Sequence, residues 1–464
     1  MKKVLSIFWK IIATLIMLIG MGIFFSRIKN KTPPDTLSST EQIEIIIDQG
    51  GCLICHAGPE YMHTHAQLPV VGTIIQNQAK RALKFYNVSK VLDRYYSKKH
   101  IDEVVFIKMQ NVLTKRSMPP IIYRVFFWES PITKGKQEVF LNWTHHYLER
   151  NYGYPYPTKE HPFEPILPVP DSLETHPAKV ALGRLLYHDP RLSSHNSLSC
   201  MVCHNTETAG TDHAPFSIGV YNQPVAANTL STFNTALHSV FFWNGRSATL
   251  EDVIFDHLTD PIKMNINSLD SIIQVLSQDK ELTDRFAETY PTGLTDSSLA
   301  DALVQYIKTL ITPNAPFDKY LKGDKNAISP EAKEGYALFK NLGCATCHAG
   351  VGAGGLSVEY TGTAHTYYPD PSKLVVEDMG HYQVTGDIMD MHRFKVPGLR
   401  NINLTYPYFH DAAAQNLRIA VGAMAYHQRN KKLNTKELTC ILEFLKTLTG
   451  EHPSEPQSIQ EKKE

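Results

Sequence analysis

The sequence predicts a mainly α-helical protein, with one apolar N-terminal helix followed by three helical units that each carry the same short motif. Three observations predict this fold class. An apolar run occupies residues 4–25, the motif Cys-x-x-Cys-His occurs three times, and the alternating apolar pattern of β-strands is sparse along the 464 residues. The three copies are CLICH at 52–56, CMVCH at 200–204 and CATCH at 344–348.

The composition gives no indication of a nucleic-acid partner. Lysine plus arginine and aspartate plus glutamate each number 46, so the formal net charge is zero. Such a chain has no basic field that would attract nucleic acid. Of the seven cysteines only Cys440 lies outside the motifs, in an amphipathic helical pattern that indicates a packed thiol without chemistry. The function must therefore be sought in the repeated motif.

The apolar run is long enough to predict a membrane-spanning helix. It is interrupted only by Lys10, and as a helix it matches a hydrocarbon core of about 30 Å. A cleaved signal peptide is the alternative, because the uninterrupted part from Ile11 to Phe25 is short enough. No small-residue cleavage site follows, and basic residues at both ends leave the orientation open. We expect an uncleaved transmembrane anchor.

The triplicated motif is typical of covalently attached haem c. Two thiols add to the vinyl groups of one porphyrin, and the adjacent histidine ligates the iron. Zinc sites and disulfides are alternatives, but zinc pairs two such knuckles per metal and needs no histidine after each second cysteine. Bacteria attach haem c on the periplasmic side, so we expect a single-pass protein of the inner membrane with its haem-bearing part in the periplasm. We expect three haem c groups, attached through Cys52, Cys55, Cys200, Cys203, Cys344 and Cys347 and ligated by His56, His204 and His348.

Polar and proline-rich links divide the chain into three cytochrome c-like haem domains. The last two share a weak repeat, in which a short helix with a glycine precedes the motif. The first is expected to close with an aromatic-rich helix over residues 136–151. The predicted limits are 1–31 for the anchor and its flanks, 32–40 for a linker, 41–152 for the first haem domain, 153–171 for a proline-rich linker or strap, 172–312 and 313–450 for the other two haem domains, and 451–464 for a disordered tail.

A methionine sulfur opposite the histidine would complete an electron-carrying haem, since it favours Fe(II) and raises the potential. For the first haem we expect Met118, because the two prolines of SMPP stiffen the strand that presents the sulfur. For the third haem the downstream candidates are His410, Met424, Tyr426 and His427.

From about Ala178 to Gly450 the chain resembles the bacterial dihaem cytochrome c peroxidases. The matching stretches, besides the two haem motifs, are LYHDPRLS, SIG, FFWNGRSATLE, TLITPNAPFDKYLKGD and KVPGLRNINLTYPYFHDA. With the anchor and the extra motif, the chain looks like the trihaem, membrane-anchored branch that includes quinol peroxidases. The resemblance implies reduction of hydrogen peroxide to water with electrons from quinol or a small cytochrome c. It also implies Met424, fourteen residues after His410, as the sixth ligand of the third iron.

The ligands of the second haem iron decide whether the chain is a catalyst or only an electron carrier. Family members that need reductive activation carry a histidine directly after Ser-Ile-Gly, whereas this chain has Val220 there. An aliphatic side chain cannot ligate iron. His213 is a substitute that does not match the family position, so we expect His204 to hold the iron alone or with water opposite.

The same resemblance implies catalytic roles for Glu251 and Trp243. A carboxylate over the haem can take a proton from peroxide and return it to the leaving oxygen, and FFWNGRSATLE places the family's glutamate at Glu251. Trp243 matches the tryptophan between the two haems. The family's companion glutamine falls at Phe241 and its aspartate at Asn244; His238 would supply the lost polar group if this stretch were helical.

A calcium ion between the haem units is a further implication of the resemblance. The matched ligands are the side chain of Asn228 and the backbone carbonyls of Thr405 and Pro407. Oxygen ligands suit this hard cation.

Two alternatives to a peroxidase stay open. An electron-transfer cytochrome would need a sixth ligand on the second iron, from His213 or His238. A MauG-like oxidase would place Tyr426 instead of Met424 on the third iron.

Overall fold

The computed structural model describes residues 2–62, 64–67, 71–83, 86–99, 101, 103–114, 118–119, 123, 132–152 and 164–453. The described part is mainly helical, as predicted, and the chain divides into two compact units, Met1–Tyr156 and Pro157–Glu464. The second unit contains both the second and the third motif, so the prediction of three separate haem domains is wrong. Residues 153–163 of the predicted linker and 454–464 of the predicted tail lie outside the described residues.

In the first unit, a capped helix leads directly into the first motif. Ser38 Oγ accepts a hydrogen bond from the Glu41 N–H, and the Glu41 carboxylate accepts one from the Ser38 N–H, which fixes the start of the helix. Gly51 then adopts a left-handed φ of 61°, which turns the chain into the motif. The helices are α1 (Lys2–Lys29), α2 (Ser39–Gln49), α3 (Cys52–His56), α4 (Val71–Leu83), α5 (Val88–Tyr96), α6 (Glu103–Thr114) and α7 (Lys134–Tyr152).

An aromatic cluster packs α5, α6 and α7 together. Phe106 stacks on Tyr147 with ring centroids 4.3 Å apart, and it meets Trp143 edge-on at 5.3 Å. Tyr95 meets the same tryptophan ring at 5.3 Å. Such pairs stabilise a core beyond the area that they bury, and they explain why the aromatic-rich helix predicted over residues 136–151 is observed as α7.

The predicted transmembrane anchor is corrected. Helix α1 covers the apolar run, but among the residues that the structure describes no helix is both long and apolar enough to cross a membrane. Lys10 breaks the run near its start, which leaves an uninterrupted part, residues 11–25, shorter than the roughly 20 residues that a spanning helix needs. The predicted single-pass location in the inner membrane is overturned with it.

In the second unit, each motif follows a helix whose glycine touches the backbone of another helix. A Cβ on Gly183 would lie 1.9 Å from the carbonyl oxygen of Ala302, and one on Gly335 would lie 1.9 Å from that of Cys440, which is buried. Glycine therefore allows these helix pairs to approach closely, which explains the glycine of the weak repeat. The helices are α8 (Pro177–Tyr187), α9 (Cys200–Cys203), α10 (Leu250–Thr259), α11 (Leu269–Leu276), α12 (Lys280–Thr289), α13 (Asp296–Thr309), α14 (Pro316–Leu321), α15 (Pro330–Leu342), α16 (Tyr382–Thr385), α17 (Leu417–Arg429) and α18 (Thr435–Lys446).

Buried hydrogen bonds join the two halves of the second unit, which is why they are not separate domains. Thr312, at the predicted limit between them, is buried. The Asn234 side chain donates to Thr312 Oγ1 at 2.8 Å and accepts from Thr312 N at 2.9 Å. Asn401 Nδ2, from the other half, donates to the same hydroxyl at 3.0 Å.

The described end of the proline-rich segment lies across the third motif as a strap. Gly350 N donates to Pro165 O at 2.8 Å, and Leu167 N donates to Gly350 O at 3.3 Å. Between them, Ile166 is fully buried. The strap is therefore part of the second unit rather than a free linker.

A short antiparallel sheet brings distant segments to the functional site. It consists of β1 (Val358–Tyr360) and β2 (Arg393–Lys395), with Val358 opposite Lys395. The Lys395 N–H donates to the carbonyl of Trp243 at 2.8 Å. The end of β2 is thereby placed against the segment that contains the predicted catalytic tryptophan.

Candidate functional site

A cavity of about 860 Å³ lies against the second motif. This volume falls within the range of about 300–1,000 Å³ that ligand and cofactor sites occupy. Cys200, Cys203 and His204 form part of its wall, and residues 241–244 and several residues of α10 also line it. We call it the His204 cavity.

His204 is held so that a neutral imidazole is available. Its N–H donates to the Cys200 carbonyl at 2.9 Å, and its own carbonyl accepts a hydrogen bond from Tyr187 Oη at 2.7 Å. Burial lowers the pKa of His204 to about 4, so the ring is uncharged near neutral pH and keeps a nitrogen lone pair. Its Nδ1 is buried and has no hydrogen-bond partner in the described part of the chain.

The other two motif histidines are also neutral, and His56 is buried. Burial lowers the pKa of His348 to about 4 and also lowers that of His56. The His56 Nδ1 lies 3.3 Å from the carbonyl of Tyr86, and the two rings stack at 4.7 Å. A hydrogen bond from one ring nitrogen to a backbone carbonyl is how proteins orient an imidazole that ligates a metal through the other nitrogen.

These features fit covalent haem better than the alternatives. None of the seven cysteines, all of which lie within the described residues, forms a disulfide. Among the residues that the structure describes, no group of three or more His, Cys, Asp or Glu is placed to hold a metal ion. Burial raises the pKa of Cys200 to about 12 and that of Cys203 to about 11. A pair of protonated thiols beside a neutral imidazole, at the wall of a large cavity, suits a porphyrin bound by thioether bonds.

His213, Val220 and His238 are not among the residues that line this cavity. His213 stacks on Tyr406 at 4.4 Å, and its Nδ1 lies 3.1 Å from the Tyr406 carbonyl. Val220 is 2% exposed, and its N–H donates to the carbonyl of Ile262 at 2.9 Å. His238 follows a short 3-10 turn instead of lying within an α-helix, and its Nδ1 contacts a lysine, so the expected helical spacing from Phe241 is not formed.

His257 lines the cavity, and sequence reasoning missed it. It lies on α10 with its ring 5.9 Å from that of His204, and it stacks on Phe242 at 5.1 Å. Its Nδ1 donates to the Val253 carbonyl at 2.8 Å, and burial lowers its pKa to about 3. The signal in the sequence was its position on the same helix as Glu251, but only packing brings it to His204.

The two predicted catalytic residues have different surroundings. Trp243 lines the cavity, where its Nε1 donates to the Asn228 carbonyl at 2.7 Å and its ring lies 6.2 Å from that of His410. Glu251 lies in the first turn of α10, is exposed, and is not among the residues that line the cavity. The structure therefore brings Trp243 to the cavity wall and leaves Glu251 at the surface.

A charged network occupies one side of the cavity. Arg246 binds Asp256 through two contacts of 2.7 and 2.5 Å, and Lys263 contacts the same carboxylate at 3.2 Å. Although burial opposes it, these cations lower the pKa of Asp256. Arg246 also lies over the Phe242 ring, 3.4 Å from its centroid. The Asp256 carboxylate at the cavity wall is thus held ionised by two cations.

Among the candidates for the third iron, three make other contacts. Tyr426 is 37% exposed and stacks on His365 at 4.4 Å, while His427 Nδ1 lies 3.2 Å from the His365 carbonyl. His410 Nε2 lies 2.8 Å from a carboxylate oxygen. Met424 is half-buried on α17. For the first haem, Met118 is likewise half-buried, and its role stays a prediction.

The predicted calcium ligands lie around one short segment. Asn228 is buried, and its Nδ2 donates at 3.1 Å to each of the carbonyls of Ala214 and Pro215. His213, which precedes Ala214, places its Nδ1 3.1 Å from the carbonyl oxygen of Tyr406, and Tyr406 lies between Thr405 and Pro407. The calcium site stays a prediction.

Comparison with known proteins agrees with these features. The family pattern described as di-haem cytochrome c peroxidase matches residues 177–326, and one described as a haem-binding domain matches residues 15–146. The chain is 34% identical over 414 residues to "Cytochrome c peroxidase Ccp" of Escherichia coli (strain K12), covering 89% of each. It is 37% identical over 291 residues to "Cytochrome c551 peroxidase" of Nitrosomonas europaea, covering 62% of this chain and 85% of the relative. A solved MauG-like protein associated with microbial copper homeostasis matches with a TM-score of 0.54 and 26% identity, over 65% of this chain and 96% of that one.

The comparisons confirm the resemblance drawn from the motifs. The family is described as di-haem, so a third haem is not part of family membership. The haem-binding match over residues 15–146 includes the first motif. With its neutral motif histidines, unbridged motif thiols and 34% identity across 89% of a curated peroxidase, the chain belongs to the bacterial di-haem cytochrome c peroxidase and MauG family and binds haem c covalently.

Proposed function

We propose that the chain reduces hydrogen peroxide to water at the His204 cavity and that it carries three covalently bound haem c groups. One observation supports this most. The cavity has a neutral imidazole on its wall, while Val220, at the position of the family's blocking histidine, is aliphatic, buried and hydrogen-bonded to Ile262. His213 is engaged with Tyr406. An iron held by His204 would therefore be open to a small ligand without prior reduction.

The chain's own residues would bind the haem and handle protons. Haem attached at Cys200 and Cys203 would supply an iron that exchanges electrons and binds peroxide. The overall reaction joins one hydrogen peroxide with two electrons and two protons to give two waters. We assign proton transfer to Glu251, whose exposed carboxylate can exchange protons with solvent. Asp256 is less suited, because Arg246 and Lys263 hold its carboxylate.

The remaining predicted residues complete this proposal. Met118 and Met424 are assigned as sixth ligands of the irons held by His56 and His348, since a thioether suits an electron carrier. Trp243 is assigned to the contact between the two haems of the second unit. One calcium ion would stabilise that unit.

The electron donor is proposed to be a small cytochrome c or a quinol. The names of the curated relatives favour a cytochrome. Steady-state assays of the holoprotein with reduced cytochrome c and with a quinol, at matched peroxide concentration, will separate the two. A lack of turnover with both donors would contradict the proposal.

His257 favours a second candidate function, an electron-transfer cytochrome. Its Nδ1 is bound to the Val253 carbonyl, which leaves Nε2 as the nitrogen that could meet an iron held by His204. An iron with two histidine ligands passes electrons but does not bind peroxide.

Electron paramagnetic resonance of the untreated ferric holoprotein tests both functions. The peroxidase requires a high-spin ferric signal before any reduction, together with turnover of peroxide. The electron carrier predicts low-spin signals alone, with a high-spin signal appearing in His257→Phe. His213→Phe is the matched control, because its ring lies on Tyr406. Low-spin signals alone in both the wild type and His257→Phe would contradict an open iron.

A further inference from the structure

Lys395 is a buried cation at the wall of the His204 cavity. It is 4% exposed and lines the cavity from the end of β2. Its Nζ lies 3.2 Å from His238 Nδ1 and 5.4 Å from the centroid of the Phe241 ring. Within the described residues, no carboxylate lies within ion-pair distance of this ammonium. A buried charge is unfavourable unless an opposite charge lies beside it, so an ammonium at this position favours an anionic partner.

His238 is fixed in place by backbone that only glycine permits. A Cβ on Gly355 would lie 2.1 Å from His238 Cδ2, one on Gly398 would lie 2.8 Å from Nε2, and one on Gly352 would lie 2.9 Å from the same nitrogen. The Nε2 atom is buried and has no hydrogen-bond partner in the described part of the chain. The imidazole can therefore hold Lys395 Nζ in one position.

The pair connects the segment that follows the third motif with the wall of the His204 cavity. Gly352 and Gly355, which enclose His238, follow the third motif within eight residues. Lys395 lines the His204 cavity, and its backbone N–H donates a hydrogen bond to the backbone carbonyl of Trp243. A charge here would act on a haem bound at Cys200 and Cys203.

The other cations of the cavity wall are already neutralised. Arg246 and Lys263 both contact Asp256, and Lys263 also contacts Asp260 at 2.8 Å. Of the lysines and arginines that line the cavity, this leaves Lys395 to receive an anion. The porphyrin of haem carries two carboxylates, which are anions of the required kind.

We propose that Lys395, oriented by His238, is a positioning residue that receives a carboxylate of the haem in the His204 cavity and raises the reduction potential of that haem. A buried positive charge stabilises the reduced iron, which carries one positive charge less than the oxidised iron. Burial lowers the pKa of Lys395 to about 7, and a carboxylate beside the ammonium would raise this pKa. The proposal depends on covalent haem at Cys200 and Cys203 and not on peroxidase activity.

Potentiometric titration of the ferric holoprotein tests the proposal without peroxide. A unit charge about 10 Å away, at an effective dielectric constant of about 20, changes an equilibrium roughly tenfold. We expect Lys395→Met to shift the ferric/ferrous equilibrium of the second haem about tenfold toward ferric, or about 59 mV for a one-electron couple. Lys395→Arg keeps the charge and should stay within about twofold of wild type. Lys373→Met removes an exposed lysine and should change nothing.

Two results would overturn the proposal. One is a Lys395→Met potential within about twofold of wild type. The other is an equal shift in Lys395→Arg, which would show that packing rather than charge is responsible. If Lys395→Met binds too little haem, Lys395→Gln at equal haem content gives the same comparison. His238→Asn, which keeps an acceptor for the ammonium, should shift the equilibrium less than Lys395→Met does, and an equal or larger shift would remove the orienting role of His238.

Discussion

Replacing Gly335 with alanine should destabilise the second unit, because this glycine allows two helix backbones to touch. Gly335 lies in α15, which leads into the third motif, and it faces the carbonyl of Cys440 in α18. A Cβ at this position would lie 1.9 Å from the carbonyl oxygen and 2.4 Å from the carbonyl carbon. The atoms it meets are backbone, which cannot rotate away, so the helices must separate by about 1 Å or more.

The structure sets the size of the effect. Overpacking of this kind costs about 1–3 kcal/mol, and a displaced α18 would loosen Phe444, whose ring lies 5.2 Å from Phe317 and 4.9 Å from Tyr336. Alanine in place of a helical glycine returns about 0.5–1 kcal/mol. We expect a net loss of about 1–2 kcal/mol in the free energy of unfolding, which lowers Tm by roughly 2–8 °C.

The chain offers a matched control for this measurement. Gly422 lies in α17, where a Cβ would meet no atom of the described residues within 4 Å, so Gly422→Ala should stabilise by about 0.5–1 kcal/mol. Thermal unfolding of the holoprotein, followed by circular dichroism, compares the two at equal haem content. Gly183→Ala, which meets the Ala302 carbonyl at 1.9 Å, should behave like Gly335→Ala. If Gly335→Ala is as stable as Gly422→Ala, the reasoning from backbone contact is refuted.

Four further predictions address the fold and the haem sites. Arg400→Met removes the 2.8 Å partner of buried Asp318 and should cost about 3–5 kcal/mol in urea unfolding at pH 7; an unchanged midpoint would contradict this. Because burial raises the pKa of folded Asp318, protonation favours the folded state, so the loss should be smaller near pH 4, and an equal loss would contradict the assignment. Replacing both cysteines of the first motif with serine should lower covalent haem by one per chain in a pyridine haemochrome assay, and an unchanged count would exclude attachment there. Glu251→Gln should lower peroxide turnover by at least about 10²-fold at unchanged haem content, whereas Asp252→Asn in the same helical turn should not; equal activities would remove the acid–base role. Met424→Leu should alter a low-spin ferric signal, and an unaltered spectrum would exclude this sulfur as a ligand.

Local sequence determined the haem attachment and the family. Five consecutive residues carry both thiols and the histidine, so the chemistry of attachment does not depend on the rest of the fold. The family stretches from LYHDPRLS to PYFHDA were equally readable, because each is a continuous segment in a fixed order. The glycines of the weak repeat were also visible, and the structure shows their cause at Ala302 and Cys440.

The set of side chains that line the His204 cavity could not be predicted from continuous motifs. His257 reaches His204 because α10 packs beside the second motif, and the ring separation of 5.9 Å joins residues far apart in the chain. Lys395 contacts His238 although 157 positions separate them. The apolar pattern at residues 4–25 predicted a spanning helix that the structure does not support, because the part uninterrupted by Lys10, residues 11–25, is shorter than the roughly 20 residues that a spanning helix needs.

The sequence by itself determined which cofactor the chain binds and to which family it belongs, because the residues responsible for both lie in short contiguous motifs. Only the tertiary structure decided that two motifs share one unit, through Asn234, Thr312 and Asn401, and which side chains line the space around His204. The physical reason is that burial and the pairing of charges depend on contacts between distant segments, and packing alone sets those contacts.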